Sequence, residues 1–495
     1  MFDKLIDKTT EEIRSLYLRD SIPWIIGCSW GKDSTTVVQL VWNAIATLPP
    51  AKRTKSISII TTDTRVEEIL VRRYVKKQID CLNRGAIAFS MPFHNYLLRP
   101  EIENSFFVRV IGHGYAKPSQ NGNYRWCTSR LKIDPADKFI KEHISHYGES
   151  YLVLGVRKEE SSARARSIAK RAKDSVEKNL NPSDSLPNST IYTPIVDWST
   201  NDVWMYLLQC DNPWGGDNQE IFRLYRGATQ DNECPLVTET GTQSCGKSRF
   251  GCWVCTVVTD NKSLEATIDN GNDWLQPLLD FRNELADPDD RDKRDFRYAY
   301  KHKIYELNVN SNTNIQPQPG RYTKQWREVW LEKLLEAQVQ VQLSAPLGFE
   351  DVELISLEEL SLIRHVWRDK FHYFDDRLPE IYLKVTGKIF PESDKAKFYR
   401  YIDTEDYQVI TQVVKDEQID AELISSLLAV EHEFLISGKR QHIYKELEKT
   451  LLQHAYSPAE KIVAAYREYL GKQAIERGEV YRPLQAMSDE IMLFE

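Results

Sequence analysis

The sequence lacks any apolar run of the roughly 18 to 20 residues that a membrane-spanning helix requires. Its N-terminal segment is charged and does not follow the pattern of a secretory signal. Positive charge is not in excess either, since 65 Lys and Arg residues stand against 73 Asp and Glu residues and give a net charge of −8. We therefore expect a cytoplasmic protein that contacts nucleic acid only through a local basic patch or through partner proteins.

Cysteine is absent from the last 240 residues, so all eight cysteines lie in the first 255. Four are scattered and four are crowded together. The scattered cysteines are Cys28, Cys81, Cys127 and Cys210, and the crowded ones are Cys234, Cys245, Cys252 and Cys255. A reducing compartment keeps thiols reduced, so we expect metal-binding or catalytic cysteines rather than disulfides.

The chain is organised around a short turn between an apolar run and an amphipathic segment. The turn is Ser29-Trp30-Gly31-Lys32-Asp33-Ser34, with apolar residues at 25–27 before it and apolar side chains at helical spacing over 37–45 after it. The pattern predicts a strand, an anion-binding loop and a helix whose free N–H groups can hold a phosphate. It is not a Walker A loop, because the two glycines are one residue too close and Asp33 replaces the Ser or Thr that holds Mg²⁺.

Alternating strand and helix patterns over the first half predict an α/β domain with a parallel sheet. Strands are predicted at 56–60, 87–89 and 151–154, and helices at 1–21 and 67–86. From residue 259 onward, long, charged, amphipathic segments predict a mainly α-helical region that supports the first domain or docks a partner. We therefore divide the chain into domains 1–258 and 259–495, with a linker near 308–320, where Asn, Pro and Gln are frequent.

Ligands of parallel sheets bind at the carboxyl ends of the strands, where several polar residues follow strands of this chain. Asp63 follows the second strand and either faces the nucleotide or caps the next helix. Arg157 and Arg164 come after Gly155 at the end of a later strand, and both suit bidentate binding of a phosphate or sulfate group. The basic stretch at 157–173 is either a solvated helix face or a basic flap over a polyanionic substrate.

The crowded cysteines have metal-ligand spacing. Cys252 and Cys255 form a C-x-x-C pair on a glycine-containing loop, and Cys245 lies within loop reach of the same point. Thiolates so arranged hold either a structural zinc or an iron–sulfur cluster. Cys127 stands among two arginines and a lysine, an electropositive setting that we expect to favour its thiolate.

Residues 29–34 resemble the S-G-G-K-D-S signature of the PP-loop family, whose members split ATP between the α and β phosphates. Trp30 replaces the first glycine, and the sequence does not decide whether it adopts the positive φ that glycine adopts freely. The segments at 125–135, 155–164 and 194–204 resemble the adenylylsulfate and phosphoadenylylsulfate reductases, a branch of that family. Within the first of these segments, Trp126 stands where the reductases have the first of two adjacent cysteines.

With the cysteine stretch at 233–258 and the Pro-Gly-Arg-Tyr-Thr segment at 319–323, the motifs together resemble the DndC family of DNA phosphorothioation sulfurtransferases. The resemblance implies an ATP pyrophosphatase domain with ATP, Mg²⁺ and a 4Fe–4S cluster as cofactors. The implied ATP-binding residues are Ser29, Trp30, Gly31, Lys32, Asp33, Ser34, Asp63, Gly155 and Arg157, and the implied catalytic residues are Lys32, Asp33, Arg157, Arg164 and Cys234.

The reductase resemblance matches Cys127, Cys252 and Cys255 to cluster ligands. We choose Cys245 as the fourth ligand because Trp126 removes the usual one. Cys234 is the alternative ligand, or else the thiol that carries sulfur.

The implied function is replacement of a non-bridging oxygen of a DNA backbone phosphate by sulfur, as in DNA restriction–modification. The implied partners are DNA, a cysteine desulfurase that donates the sulfur, and the other phosphorothioation proteins DndD and DndE. A sulfate-type reductase is an alternative, although it needs a nucleophilic cysteine near its C-terminus, where this chain has none. A tRNA-thiolating PP-loop enzyme is another, and a non-enzymatic nucleotide-binding subunit of a DNA-modification complex is a third.

Overall fold

A computed structural model of the chain describes residues 2–119, 124–160, 179–183, 186–228, 250–295, 304–309, 312–317, 320–391, 402, 404–416, 421–437 and 441–455. The chain forms two compact units built from interleaved segments. Unit 1 comprises Met1–Phe106, Pro118–Ala286 and Gln340–Leu354, and unit 2 comprises Phe107–Lys117, Asp287–Val339 and Ile355–Glu495. The predicted domain boundary at 258 stays a prediction.

Unit 1 contains a six-stranded sheet with the order β3-β2-β1-β4-β6-β5. Its strands are Trp24–Gly27 (β1), Ile57–Thr62 (β2), Phe93–Leu98 (β3), Ser150–Leu154 (β4), Leu180–Pro182 (β5) and Ser189–Tyr192 (β6). All neighbours are parallel except β5 and β6, which are antiparallel. The prediction of an α/β fold with a parallel sheet is therefore confirmed.

Helices cover both faces of the sheet, so the central strand β1 is apolar throughout. Ile26 belongs to the large buried cluster that contains the apolar face of the helix after the loop. Its neighbour Ile25 packs in a second cluster on the opposite face, with Ile140 and Leu152. Because successive strand residues point to opposite faces, both layers are needed to bury the Ile25-Ile26 pair.

The longer helices of unit 1 alternate with the strands as far as β4, and the last four of them follow β6. They are Phe2–Arg19 (α1), Lys32–Ala46 (α2), Ile69–Ala88 (α3), Asp134–Tyr147 (α4), Thr200–Gln209 (α5), Asn218–Gly227 (α6), Lys262–Asp269 (α7) and Gln276–Ala286 (α8). The helix predicted at 1–21 is confirmed. The strand predicted at 87–89 is wrong, because Ile87 and Ala88 complete α3 and the strand begins only at Phe93.

Unit 2 is mainly helical, as predicted for the C-terminal region. Its strands Ile304–Val309 (β7) and Asn312–Pro317 (β8) form an antiparallel pair where the composition predicts a linker. Helices Lys324–Ser344 (α9, whose last residues belong to unit 1), Leu357–His365 (α10), Arg377–Thr386 (α11), Thr404–Asp416 (α12), Ala421–Ser437 (α13) and Ile443–Ala455 (α14) follow. Within the described part of the chain, no helix combines the length and apolar character needed to cross a membrane.

Candidate nucleotide and cysteine site

The loop after β1 leaves the first turn of α2 open at the carboxyl edge of the sheet. Helix α2 begins at Lys32, and Gly31 at its N-cap supplies no side-chain hydrogen bond to the helix. The Ser34 hydroxyl donates back to the Gly31 carbonyl at 3.1 Å, which tightens the loop. The N–H groups of an uncapped first turn, together with the positive end of the helix dipole, form a site that suits phosphate oxygens.

Trp30 adopts a left-handed backbone conformation, the kind that glycine adopts freely, with φ of 58°. Its ring is 1% exposed and donates from Nε1 to the Thr61 hydroxyl at 3.0 Å. The Trp214 ring packs edge-on against it at a centroid distance of 6.1 Å. The packing and the hydrogen bond offset the steric cost of positive φ at a bulky residue, so the turn is retained without glycine.

Asp33, in the first turn of α2, is held by a buried arginine. The Arg157 side chain is 2% exposed, and its Nε donates to Asp33 Oδ1 at 2.6 Å. Its Nη1 donates to the Glu159 carboxylate and to the Thr200 hydroxyl, each at 3.2 Å. Arg157 therefore ties the loop to the segment that follows β4. Its predicted contact with a phosphate or sulfate group stays a prediction.

Lys32 lies between Asp33 and a buried tyrosine. Its ammonium is 3.2 Å from Asp33 Oδ2 and 5.3 Å from the centre of the Tyr225 ring. Burial, with the Asp33 charge adding to it, raises the pKa of Tyr225 to about 12, so the phenol stays protonated at neutral pH. Both oxygens of Asp33 are thus paired with cations, so Asp33 is a poor ligand for Mg²⁺.

Gly155 follows β4 and touches the backbone of α2. A Cβ atom at this position would lie 3.0 Å from the carbonyl carbon and oxygen of Asp33 and 3.1 Å from the Ser34 nitrogen. Only glycine allows this approach without a backbone shift. The sequence-predicted residues Ser29, Lys32, Asp33, Ser34, Gly155 and Arg157 therefore lie at one place in unit 1.

Asp63 follows β2 and caps a turn. Its Oδ1 accepts the Arg65 N–H at 2.9 Å, and its Oδ2 accepts from Arg99 Nε at the same distance. The helix begins only at Ile69. These contacts account for Asp63 as a turn residue, and its contact with a nucleotide stays a prediction.

The C-x-x-C pair packs against the segment that leaves β2. Cys252 forms an isolated antiparallel bridge with Glu67, and its Sγ lies 3.7 Å from the Thr64 hydroxyl. The Cys255 N–H donates to the Cys252 carbonyl at 3.1 Å, which forms the turn of the motif. Because β1 and β2 are parallel neighbours, the loop after β1 and the cysteines beside the end of β2 lie at the same carboxyl edge.

Cys127 belongs to the same group, since the neighbouring Cys255 helps to raise the pKa of its thiol. Burial is the larger cause of that rise, and burial also raises the pKa of Cys252 to about 11. The expectation that basic neighbours favour the Cys127 thiolate is therefore wrong, because burial and Cys255 raise its pKa, and the groups that oppose the rise are the Thr128 hydroxyl and nearby backbone rather than basic side chains. Cys252 does have such a neighbour, Lys132, which lowers its pKa in part.

A soft metal would supply the charge that favours thiolates here, because coordination deprotonates thiols outright. Among the residues that the structure describes, no three Cys, His, Asp or Glu side chains are arranged as a complete metal-binding group. Three predicted residues, Arg164, Cys234 and Cys245, lie outside the described residues. The choice between Cys245 and Cys234 as fourth ligand thus stays a prediction.

Several residues beside the cysteines were missed by sequence reasoning. Arg282 is 1% exposed, and its guanidinium donates to the carbonyls of Cys255, Val258 and Thr259 and so braces the C-x-x-C loop. Burial raises the pKa of Glu67 to about 7, and the Lys132 charge opposes that rise. The acidic pair after the β2 turn was visible in the sequence, but the burial that makes it unusual was not.

Glu68 is buried, and it lines a pocket of about 410 Å³ between α3, α6 and α7. Burial raises the pKa of its carboxyl to about 7, with Glu67 adding to the rise and the Ser263 hydroxyl opposing it. Within the described residues, Oε1 of Glu68 has no hydrogen-bond partner. The neutral carboxyl is the form that such an environment favours.

A comparison with known protein families matches the part of the chain that contains this site. Residues 23–257 match the family model of the phosphoadenosine phosphosulfate reductase domain. The matched segment contains the sheet, the loop at 29–34 and the C-x-x-C pair, and it supports assignment of this part of the chain to the PP-loop superfamily.

Two curated relatives come from Methanocaldococcus jannaschii. The uncharacterized protein MJ0066 is 27% identical over 202 residues, which cover 41% of this chain and 35% of the relative. The uncharacterized protein MJ0973 is 31% identical over 85 residues, which cover 17% of each chain. The chain thus spans about a third or less of the length of these relatives.

Two similar solved structures bind nucleotides or an iron–sulfur cluster. The U34-tRNA thiolase NcsA from Methanococcus maripaludis, solved with its 4Fe–4S cluster, has 12% identity and a TM-score of 0.28 and covers 58% of this chain and 81% of its own. The FMN adenylyltransferase of Candida glabrata, in complex with FMN and an ATP analogue, has 10% identity and a TM-score of 0.28 and covers 46% and 63%. Scores this low carry no inference about the present chain.

Proposed function

We propose that the chain is an ATP-dependent sulfurtransferase that adenylylates a DNA backbone phosphate and helps to replace one of its non-bridging oxygens by sulfur. The observation that supports this best is the shared edge of the sheet. The phosphate-binding loop follows β1, and the C-x-x-C pair packs beside the end of the neighbouring strand β2. An enzyme that activates an oxygen with ATP and then delivers sulfur needs its nucleotide and thiol groups close together.

The proposed use of ATP is explained by the poor leaving group in the DNA backbone. A phosphodiester oxygen leaves poorly, so it would first attack the α phosphorus of ATP, which forms a new P–O bond and releases pyrophosphate. The open first turn of α2 and the Lys32 ammonium would stabilise charge on the departing pyrophosphate. Arg157 would hold Asp33 and the loop in place, since its Nε and Nη1 both donate to protein groups.

In the sulfur half, a sulfur nucleophile attacks the activated phosphorus, and AMP leaves with the former backbone oxygen. With a persulfide on Cys234 as donor, the attack would form a P–S–S–Cys link, which a second thiol would reduce and cleave to release the phosphorothioate. The second source is sulfide held at the cluster. A cysteine desulfurase would supply the sulfur, and DndD and DndE would be the partners on DNA.

The thiol set matches the proposed iron–sulfur cofactor in ligand type, although the described cysteines are not arranged as a complete metal-binding group. Cys127, Cys252 and Cys255 would hold the iron, with one of the two cysteines outside the described residues as fourth ligand. Such a cluster supplies a site that binds sulfide. Among the described residues, Arg282 fixes the C-x-x-C loop by donating to the carbonyls of Cys255, Val258 and Thr259.

The proposal is tested by measuring pyrophosphate release from ATP and sulfur incorporation into DNA in one reaction. The reaction contains duplex DNA, a cysteine desulfurase, cysteine and the anaerobically purified protein. Lys32→Ala should lower pyrophosphate release at least tenfold, because it removes charge at the departing group. Lys52→Ala, which removes an exposed lysine of unit 1, is the matched control and should release pyrophosphate like the wild type.

Two results would overturn the proposal. Absence of pyrophosphate release from the wild type would leave only a nucleotide-binding subunit. Sulfur incorporation into tRNA but not into DNA, with equal ATP use, would place the chain among the tRNA-thiolating enzymes.

A further inference from the structure

Two sequence motifs without a role in the nucleotide site meet in unit 2. They are Gly112-His113-Gly114-Tyr115 and residues 320–323 of the Pro-Gly-Arg-Tyr-Thr segment. The Tyr322 N–H donates to the Gly114 carbonyl at 2.8 Å. Gly114 has φ of +67°, and a Cβ there would lie 2.5 Å from Arg327 Nε, so glycine allows the two segments and the first turns of α9 to pack. A hydrogen bond and close packing therefore hold the two segments together within unit 2.

Four cations gather around His113 at this point. They are Arg109, Arg321, Arg327 and Lys370, and we call them with His113 the basic cluster. Lys370 Nζ lies 3.4 Å from His113 Nδ1. Burial, followed by the charges of these four side chains, lowers the pKa of His113 to about 3, so the imidazole is neutral at pH 7 and accepts from the lysine. The positive charge of the cluster thus resides on the arginines and Lys370.

Aromatic rings hold the guanidinium groups in place. Arg109 Nη1 donates to the Tyr115 hydroxyl at 3.2 Å, and Arg321 and Arg327 lie 5.3 and 4.0 Å from the centre of the Phe371 ring. Cation–π contacts and fixed donors preorganise arginines for oxyanions. The nearby carboxylate Asp290 is engaged elsewhere, because it accepts from Arg294 and pairs with Lys117.

Lys370 marks the accessible side of the cluster. Its side chain is exposed, and among the described residues no carboxylate lies within ion-pair distance of it. Burial, then Arg321, Arg109 and Arg327, lower its pKa, so it experiences repulsion from its neighbours. A polyanion would relieve that repulsion. Lys370 is exposed and Arg109 and Arg321 are partly exposed, so these three suit successive phosphates, while Arg327, at 2% exposure, adds positive charge behind them.

We propose that the basic cluster of unit 2 binds the phosphodiester backbone of the nucleic acid that the protein modifies. The inference rests on the proposed function for its choice of nucleic acid among polyanions. It gives the helical unit a role that the sequence did not assign. It also explains how a chain with a net charge of −8 can contact DNA, namely through a local patch.

The test measures binding of the full-length protein to a labelled DNA duplex by fluorescence anisotropy over a range of salt concentrations. Lys370→Ala and Arg109→Ala should each weaken binding about threefold to tenfold and reduce the salt slope by about 1. Lys388→Ala is the matched control, because it removes another exposed lysine of unit 2 that is not among the charges around His113. Circular dichroism and thermal unfolding confirm that each variant is folded.

A second series with tRNA distinguishes the two sources of phosphodiester. Weakened binding of either nucleic acid by both cluster variants supports the site and identifies its ligand. Unchanged affinity and slope for both, or a loss equal to that of Lys388→Ala, overturns it. Measuring pyrophosphate release by the wild type distinguishes failure of the proposed binding site from failure of the proposed function. If the wild type releases pyrophosphate but DNA binding does not depend on the basic cluster, only the role of the cluster is refuted. If DNA binding depends on the cluster but no pyrophosphate is released, only the proposed reaction is refuted.

Discussion

Arg157 Nε donates to Asp33 Oδ1 at 2.6 Å, which joins the end of β4 to the first turn of the helix after the nucleotide loop. Asp33→Asn would leave a guanidinium that is 2% exposed without its closest counter-charge. We expect the free energy of unfolding to fall by about 3 kcal/mol, because breaking a buried pair uncovers a desolvated charge. ATP affinity should fall as well. Urea unfolding and equilibrium ATP binding measure both effects.

The control for this pair is Asp197→Asn. Asp197 pairs with Lys158, but both side chains are about half exposed, at 48% and 55%. An exposed pair contributes about 0–1 kcal/mol, so the control should unfold and bind ATP like the wild type. Equal losses in the two variants would show that the burial of Arg157 has no energetic consequence.

Trp30 shows both what the sequence predicts and where prediction stops. The strand, loop and helix were predictable because the apolar run and the helical spacing are local signals. The φ of Trp30 was not, because its conformation depends on Thr61 and Trp214, which are distant in sequence. Propensity alone disfavours positive φ at a bulky residue, and tertiary packing overrides it here.

Trp30→Gly should keep the backbone of the loop and lose the packing of the ring. We expect the free energy of unfolding to fall by about 2–4 kcal/mol, since removal of a buried tryptophan costs about 3–5 and relief of the positive φ returns about 1. Trp30→Phe keeps most of the ring and loses the bond to Thr61, a loss of about 1 kcal/mol. Both folded variants should still bind ATP. Loss of ATP binding by folded Trp30→Gly would show that the ring itself shapes the site.

Other features of the fold could not be predicted, either because they depend on contacts between residues distant in sequence or because the local pattern is ambiguous. Residues 87–89 are apolar and favour a strand, yet Ile87 and Phe89 are 83% and 59% exposed at the end of α3. The positive φ of Ser90 and the proline at 92 mark the true break, and only the proline is a sequence signal. The recruitment of Phe107–Lys117 into unit 2 depends on bonds to residues about 200 positions away, such as that from Tyr322 to Gly114, which no local pattern reveals.

Gly155→Ala tests the close approach of β4 and α2. Its new Cβ would meet Asp33 and Ser34 backbone atoms at 3.0–3.1 Å, so the start of α2 must shift. We expect a loss of about 1–3 kcal/mol in unfolding free energy and a larger relative loss of ATP affinity. Gly227→Ala is the matched control, because a Cβ there meets nothing within 4 Å. An ATP affinity equal to that of the wild type would show that the spacing of loop and strand is not important for binding.

Glu68→Gln should change the dependence of stability on pH. The folded protein raises the pKa of this carboxyl from 4.5 to about 7, so the folded state retains a proton that the unfolded state releases. The contribution of Glu68 to stability is therefore fully present below about pH 4.5 and is lost as the pH rises through 7. Gln mimics the protonated form and removes this loss.

The variant should match the wild type near pH 4.5 and unfold with about 1–3 kcal/mol more free energy at pH 8. Denaturation at several pH values measures the difference, and Glu142→Gln, at an exposed glutamate of α4, is the control. A difference that is independent of pH would show that the carboxyl does not titrate between the folded and unfolded states.

Substitution of single cysteines tests the cofactor. In anaerobically purified protein we expect iron, acid-labile sulfide and a broad visible absorption, all lost in Cys127→Ser, Cys252→Ser and Cys255→Ser. Cys210→Ser is the control, because Cys210 is a free cysteine of similar, intermediate exposure that does not contribute to the pKa shifts of Cys127 and Cys252. Comparison of Cys234→Ser with Cys245→Ser then identifies the fourth ligand, since only the ligand variant should lose iron.

The metal content distinguishes the two kinds of site that the cysteines allow. A colourless protein with stoichiometric zinc would mean a structural site, because zinc has no redox chemistry and is held by four closed ligands. A brown protein whose colour survives loss of Cys234 but not of Cys245 would leave Cys234 free to carry a persulfide. In that case Cys234→Ser should abolish sulfur incorporation while pyrophosphate release continues, because activation of the phosphate precedes attack by sulfur. Unchanged sulfur incorporation by that variant would exclude the persulfide and leave sulfide held at the cluster as the donor.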